Sequence, residues 1–158
     1  MKKVSVIMGS KSDWDIMKQA CLVLEEFQIS YTRDAISAHR TPKELHELVQ
    51  HSVSQGCKVI IAGAGGAAHL PGVVASLTML PVIGVPIMSK LSGLDSLLSI
   101  VQMPSGIPVA SMAIDGAKNA ALFAVSILAL EDKVLAEKLI NYRKKQAEAV
   151  ISNNQLVI

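Results

Sequence analysis

The chain has 158 residues, the size of one domain spanning 1–158, with 51% hydrophobic, 18% charged and only 3% aromatic residues. A core of Val, Ile, Leu and Ala is expected. The net charge of +2, without a basic stripe interleaved with aromatics, argues against nucleic acid as a partner. No apolar stretch reaches the roughly 20 uninterrupted residues that span a bilayer. Met1-Lys2-Lys3 leads straight into a strand-like segment and not into a signal peptide. A soluble, cytoplasmic protein is therefore expected. Cys21 and Cys57 lack metal-ligand spacing and lie in apolar segments, as reduced core thiols do. The apolar share exceeds what one small domain buries alone, which points to an oligomer.

Lys3–Met8 has the pattern of a buried strand and ends at Gly9-Ser10. Asp13–Phe27 follows as a helix, with Ile16, Met17, Ala20, Cys21, Leu24 and Phe27 at helical spacing. Tyr31–Ile36 is a weaker strand. Thr41–Gln55 is the clearest helix: Thr41 serves as N-cap, Pro42 takes the first position and Glu44 completes a capping box. Leu45, Leu48, Val49 and Val53 form its buried face. Lys58–Ala62 is the third strand, leading into a small-residue loop, Gly63–Ala68, and then a helix from about Pro71 to Met79. Val82–Val85 is a fourth strand stopped by Pro86, Leu94–Val101 a short helix, and Val109–Ile114 a fifth strand. Ala117–Leu130 and Lys133–Ile151 are the last helices, the second carrying Leu135, Leu139 and Tyr142 on its apolar side and Arg143-Lys144-Lys145 on a solvated face. Strands alternating with helices predict a parallel sheet of roughly five strands covered on both faces. The fold class is a flavodoxin-like or Rossmann-like α/β three-layer sandwich with a long C-terminal helix.

Ligands of such folds bind beyond the carboxyl ends of the strands, so the residues there carry the functional signal. After the first strand come Gly9, Ser10, Ser12 and Asp13 at a helix start, where amides, hydroxyls and the dipole suit an anion. Asp13 suits ribose hydroxyls; simple N-capping explains the same residues. After the second strand come Ser37, Ala38, His39 and Arg40. Arg40 can fork a phosphate, and His39 is the acid–base candidate because imidazole titrates near neutrality. After the third strand, Gly63, Gly65 and Ala68 mimic a GxGxxA dinucleotide motif. That motif belongs after a first strand, with an acidic residue about 20 positions on, and neither condition holds. Close approach of backbone to a flat ligand explains the glycines better. His69 either lines the pocket or caps the next helix. P-loop and GxSxG motifs are absent. His46 and His51 are expected at the surface, and the seven methionines as core filling.

Taken together, Met8–Trp14, Ser37–Pro42 and Ala64–Gly72 resemble the signature segments of the class I aminoimidazole ribonucleotide carboxylase and mutase family. Pro81–Pro86, Ser99–Pro104 and Asn119–Leu122 are similar to it as well, so the resemblance covers nearly the whole chain. His39-Arg40-Thr41-Pro42 and Ala67-Ala68-His69-Leu70-Pro71-Gly72 resemble the class I pattern. The class II enzymes, which use carbon dioxide directly, show a His-Lys pair. Ser105 and Asp115 depart from the pattern away from the expected chemistry.

The resemblance implies a substrate with a carbamate on the exocyclic nitrogen of an aminoimidazole ribonucleotide, and a product with the carboxylate on ring carbon C4. It implies no metal and no organic cofactor. Ser10, Ser12 and Arg40 would take the 5′-phosphate, Asp13 the ribose and Ser37 the base. His39 would act as general acid and then base. Gly65, Ala67, His69 and Leu70 would close a dry chamber around carbon dioxide, completing a binding set that includes Gly9 and Ala38. A homo-octamer is implied; transient contact with the upstream ATP-dependent synthetase stays open. The rival readings are direct carboxylation with carbon dioxide and a non-enzymatic nucleotide-binding module.

Overall fold

Val4–Met8 and Val82–Ile87 are buried at every position, and Val59–Gly65 at all but the last. A strand is buried so completely only when its sheet is covered on both faces. The structure, a computed structural model, describes residues 3–154 and builds that arrangement. In chain order the elements are β1 (Val4–Met8), α1 (Trp14–Glu26), β2 (Tyr31–Ala35), α2 (Pro42–Ser54), β3 (Val59–Gly65) and α3 (Leu70–Ser76). Then come β4 (Val82–Ile87), α4 (Leu94–Val101), β5 (Ala110–Ser111), α5 (Ala117–Leu128) and α6 (Lys133–Ser152). A single 3-10 turn, Lys11–Asp13, precedes α1.

The strands are all parallel, in the order β2-β1-β3-β4-β5. Side chains alternate between faces as the pleat requires. Val6 and Met8 join Met17, Leu24 and Ala121 in one core layer, under α1 and α5. Ile7 joins Leu45, Val49, Leu70, Val74 and Ile100 in the other, under α2, α3 and α4. α6 docks its first half on the first layer, with Leu135 buried and the Tyr142 ring 5.5 Å from that of Phe27. Its second half is exposed. No helix among the described residues is long and apolar enough to cross a membrane.

Several sequence-based boundaries are corrected. β3 does not stop at Ala62 but runs on through Gly63, Ala64 and Gly65, which lie opposite Val85, Pro86 and Ile87 of β4. Small residues are needed here: a Cβ on Gly63 would lie 2.3 Å from the Met17 sulfur. Pro86 does not end β4; it lies inside it. Its carbonyl accepts from the Asp115 N–H, so its missing N–H falls on the β5 side. That absence explains why β5 is only Ala110–Ser111 and not Val109–Ile114. After Gly84 opposite Ser111, the next β4 residue facing β5 has no donor to continue the ladder. The third helix ends at Ser76, not Met79. In α2, Leu45 and Val49 are buried and Leu48 is half-buried as expected, but Val53 is exposed and Ser52 is buried beside it. The capping box there does not form, because the Thr41 hydroxyl turns back to Ser37.

Candidate active site

In the order β2-β1-β3, the connections leave β1 and β3 toward opposite faces, and a crevice opens between them. Three loops meet there. The first follows β1. Ser10 is the N-cap of the 3-10 turn, its Oγ accepting from the Ser12 N–H at 3.3 Å and the Ser12 hydroxyl at 3.0 Å. Asp13 folds back, its Oδ2 accepting from the Ser10 N–H at 3.0 Å. The capping explanation of these residues is therefore realised, and in the same geometry Gly9, Ser10, Ser12 and Asp13 all line the crevice. Asp13 is only 8% exposed. Burial pushes its carboxyl above the usual range, against the opposing pull of hydrogen bonds from Ser10, Ser12 and Gly9.

The second loop follows β2. The Ser37 N–H donates to Thr41 Oγ1 at 3.1 Å, and the Thr41 hydroxyl returns a bond to the Ser37 carbonyl at 2.8 Å. Ser37 Oγ accepts from both the backbone N–H of Arg40, at 3.2 Å, and its Nε, at 3.3 Å. One hydroxyl thus fixes the guanidinium plane, with the Nη groups as the remaining donors of the fork. Ser37, Ala38, His39 and Arg40 line the same crevice.

The third loop follows β3. Gly66 adopts a φ of +68°, a region that suits glycine. Its N–H donates to Ser96 Oγ at 2.9 Å, and the Ser96 hydroxyl donates to the Ile87 carbonyl at 2.7 Å. Ser96 is fully buried and anchors this loop to the end of β4. Ala64, Gly65, Ala67 and Leu70 complete the lining of a cleft of about 460 Å³, a volume typical of small-ligand sites. His69 precedes α3 but makes no side-chain cap. It reaches across the crevice instead, with its Nδ1 2.8 Å from His39 Nε2 and the two rings nearly perpendicular.

The residues singled out by sequence are thus brought to one place, His69 through its contact with His39. Ala64 and Ser96 were missed. Ala64 lay in the segment assigned to a loop. Ser96 gave no signal in the sequence, because hydropathy turns the apolar residues of Leu94–Val101 inward, whereas the structure leaves Leu94, Leu98 and Val101 53%, 48% and 50% exposed and faces Ser96 and Ile100 inward. In chemical terms the cleft offers hydroxyls and a guanidinium for an anion, a carboxylate for hydroxyls, an imidazole pair for proton transfer, and a small-residue wall.

Comparison with known proteins agrees with this arrangement. A family model described as AIR carboxylase matches residues 3–149. An N5-carboxyaminoimidazole ribonucleotide mutase of Pyrococcus abyssi is 63% identical over 145 residues, covering 91% of this chain and 83% of the relative. The protein of that name in Bacillus subtilis is 54% identical over 158 residues, covering 98% of each. Among solved structures, Treponema denticola PurE superposes with a TM-score of 0.90 at 30% identity, covering 98% of this chain and 97% of that one. By the span of the family match and the identity to these mutases, the chain belongs to the AIR carboxylase family, in its class I branch.

Proposed function

We propose that this chain is a mutase of purine biosynthesis. It moves a carboxylate within one aminoimidazole ribonucleotide, from the exocyclic nitrogen to ring carbon C4. One observation carries the reading: proteins named N5-carboxyaminoimidazole ribonucleotide mutase share between 52% and 63% of their residues with it over most of its length.

The cleft residues supply a mechanism. The Ser10 N–H is already given to Asp13, so the phosphate is held by the Ser10 and Ser12 hydroxyls and the Nη groups of Arg40. Gly9, without a side chain, leaves room for it. The Asp13 carboxylate accepts from the ribose hydroxyls, and Ser37 and Ala38 border the base. The carbamate N–C bond breaks, its electron pair goes to nitrogen, and His39 protonates that nitrogen. Carbon dioxide is released beside Gly65, Ala67 and Leu70, where closure of the cleft over the substrate would exclude water. The electron-rich C4 attacks it, and His39 removes the C4 proton to restore aromaticity. One proton is given and one is taken, so His39 ends as it began. Neither metal nor organic cofactor enters the scheme.

The exposed apolar row Leu94, Leu98 and Val101 of α4 supports a homo-oligomer, with an octamer as the assembly proposed. A cytoplasmic location and a transient contact with the ATP-dependent enzyme that makes the unstable carbamate complete the reading. Ultraviolet absorbance tests the reaction directly. Fresh carbamate substrate is compared with aminoimidazole ribonucleotide plus bicarbonate, both without ATP. Conversion of the carbamate alone is expected. Turnover of only the decarboxylated nucleotide would make the chain a direct carboxylase, and nucleotide binding without either reaction would make it a binding module.

A further inference from the structure

The peptide that closes β4 is clamped from both sides. Its carbonyl, on Ile87, accepts from the buried Ser96 hydroxyl at 2.7 Å, and its N–H, on Met88, donates to Asp115 Oδ1 at 2.8 Å. Ser96 Oγ in turn accepts from the Gly66 N–H at 2.9 Å. The donors all point one way, from Gly66 through Ser96 and the Ile87–Met88 peptide to Asp115. Hydrogen bonds in such a chain polarise and strengthen one another. The Asp115 end has the form of a missing sheet rung. In a parallel ladder the N–H and C=O of one residue bond the residues before and after its partner. Asp115 reproduces that pattern around Ile87: its N–H donates to the Pro86 carbonyl, and its carboxylate takes the Met88 N–H in place of a backbone carbonyl. Its own carbonyl, at a residue with a φ of +58°, accepts instead from the Ala117 N–H. A side chain thus carries the sheet past the point where β5 ends.

This rung bears on the cleft because the end of β4 backs its wall. Gly65 lies opposite Ile87, and a Cβ there would be in van der Waals contact with the carbonyl oxygens of Ile87, at 3.5 Å, and Met88, at 3.8 Å. Gly65 and Ala67, on either side of Gly66, line the cleft. We propose that Asp115 is a positioning residue for the carboxylate transfer: through the Ile87–Met88 peptide and Ser96 it holds the Gly65–Ala67 wall against which carbon dioxide is recaptured. This rests on the mutase reading above. Asp115 is not among the residues lining the cleft, and the phosphate, the ribose and the proton carrier belong to the other two loops. Its role therefore falls on the fate of the carbon dioxide and not on nucleotide binding.

Two substitutions separate the rung from the backbone that carries it. Asp115→Gly keeps the positive φ but removes the acceptor, and Asp115→Asn keeps both the conformation and an acceptor. With the carbamate substrate, Asp115→Gly is expected to raise several-fold the decarboxylated nucleotide released per product formed, above the spontaneous background, while KM stays within about threefold. Hydrogen exchange followed by mass spectrometry gives a measure independent of turnover. The Gly65–His69 loop should exchange roughly threefold faster or more in Asp115→Gly. Asp115→Asn should recover most of both effects. Since Asp115 acts through Ser96, adding Asp115→Gly to Ser96→Ala should change the loop exchange little beyond Ser96→Ala alone. An unchanged exchange or an unchanged product ratio in Asp115→Gly overturns the proposal, and so does an effect confined to KM. Equal impairment by Asp115→Asn also overturns it, since the hydrogen-bonded rung would then not be what holds the wall. An effect that adds fully to that of Ser96→Ala does the same. If the wild type itself fails to convert the carbamate, the mutase reading falls, and the exchange comparison still decides whether Asp115 holds the wall.

Discussion

His39, Arg40 and Asp13 are each held by a different physical device, and each device predicts a different defect. As the proposed proton carrier, His39 gives a sharp expectation: His39→Asn lowers kcat by about 10²–10⁴-fold while leaving nucleotide affinity nearly intact, as titration calorimetry and steady-state kinetics would show. Loss of binding in a folded variant would contradict that role. Arg40, fixed through Nε by Ser37, is proposed to hold the phosphate in ground and transition state alike. Arg40→Ala should raise KM roughly ten- to hundredfold with kcat little changed, the scale of about 1.5–3 kcal/mol for hydrogen bonds to a charged group. Asp13 works against the fold. Burial raises its carboxyl above the unfolded value, so its contribution favours the folded state at low pH and is lost as pH rises through the folded value. Asp13→Asn keeps an acceptor for the Ser10 N–H and removes the buried charge. Its melting temperature should equal or exceed wild type at neutral pH, the difference should shrink in acid, and KM should rise. At this scale the sequence was informative wherever a residue's chemistry is unusual for its place, as with His39-Arg40 at a strand end. It could not show that His69 meets His39, because that contact depends on two loops meeting across the sheet.

Among the elements, the boundaries that sequence patterns misjudged share a cause: neighbouring chain overrode local preference. Gly63-Ala64-Gly65 has poor strand propensity, yet it is strand because β4 pairs with it and Met17 fills the space beside it. Pro86 looks like a strand breaker, yet it sits where the missing donor faces the end of β5. The capping box of α2 gave way to a stronger use of Thr41, which closes the loop that carries His39 and Arg40. The helical period of α1, most of that of α2, and the alternation that implies a doubly covered parallel sheet, were by contrast readable directly. Ser96 joins an element to the site. Ser96→Ala leaves the Gly66 N–H without its partner, at a cost of about 1–3 kcal/mol. Chemical denaturation should register that loss, and faster hydrogen exchange should appear in the Gly65–His69 loop. Unchanged exchange there would mean that Ser96 does not hold the loop.

For the molecule as a whole, the apolar surplus of the composition reappears as a surface feature. α4 turns Ser96 and Ile100 inward and Leu94, Leu98 and Val101 outward, an inversion that makes sense when that helix is covered by another copy. Sedimentation velocity of Leu98→Glu should show a smaller species than wild type, whereas a wild-type chain that sediments as a monomer would remove the assembly from the account. The central claim is the transfer of one carboxylate within one molecule, by His39, in a chamber that retains carbon dioxide. It is tested most directly with carbamate substrate labelled with carbon-13 in the carboxylate and converted in excess unlabelled bicarbonate. Retention of the label in the product carboxylate is the predicted result. Product carrying carbon from the medium would contradict it, because the carbon dioxide would then have left the cleft and the chain would be acting as a carboxylase on the free nucleotide.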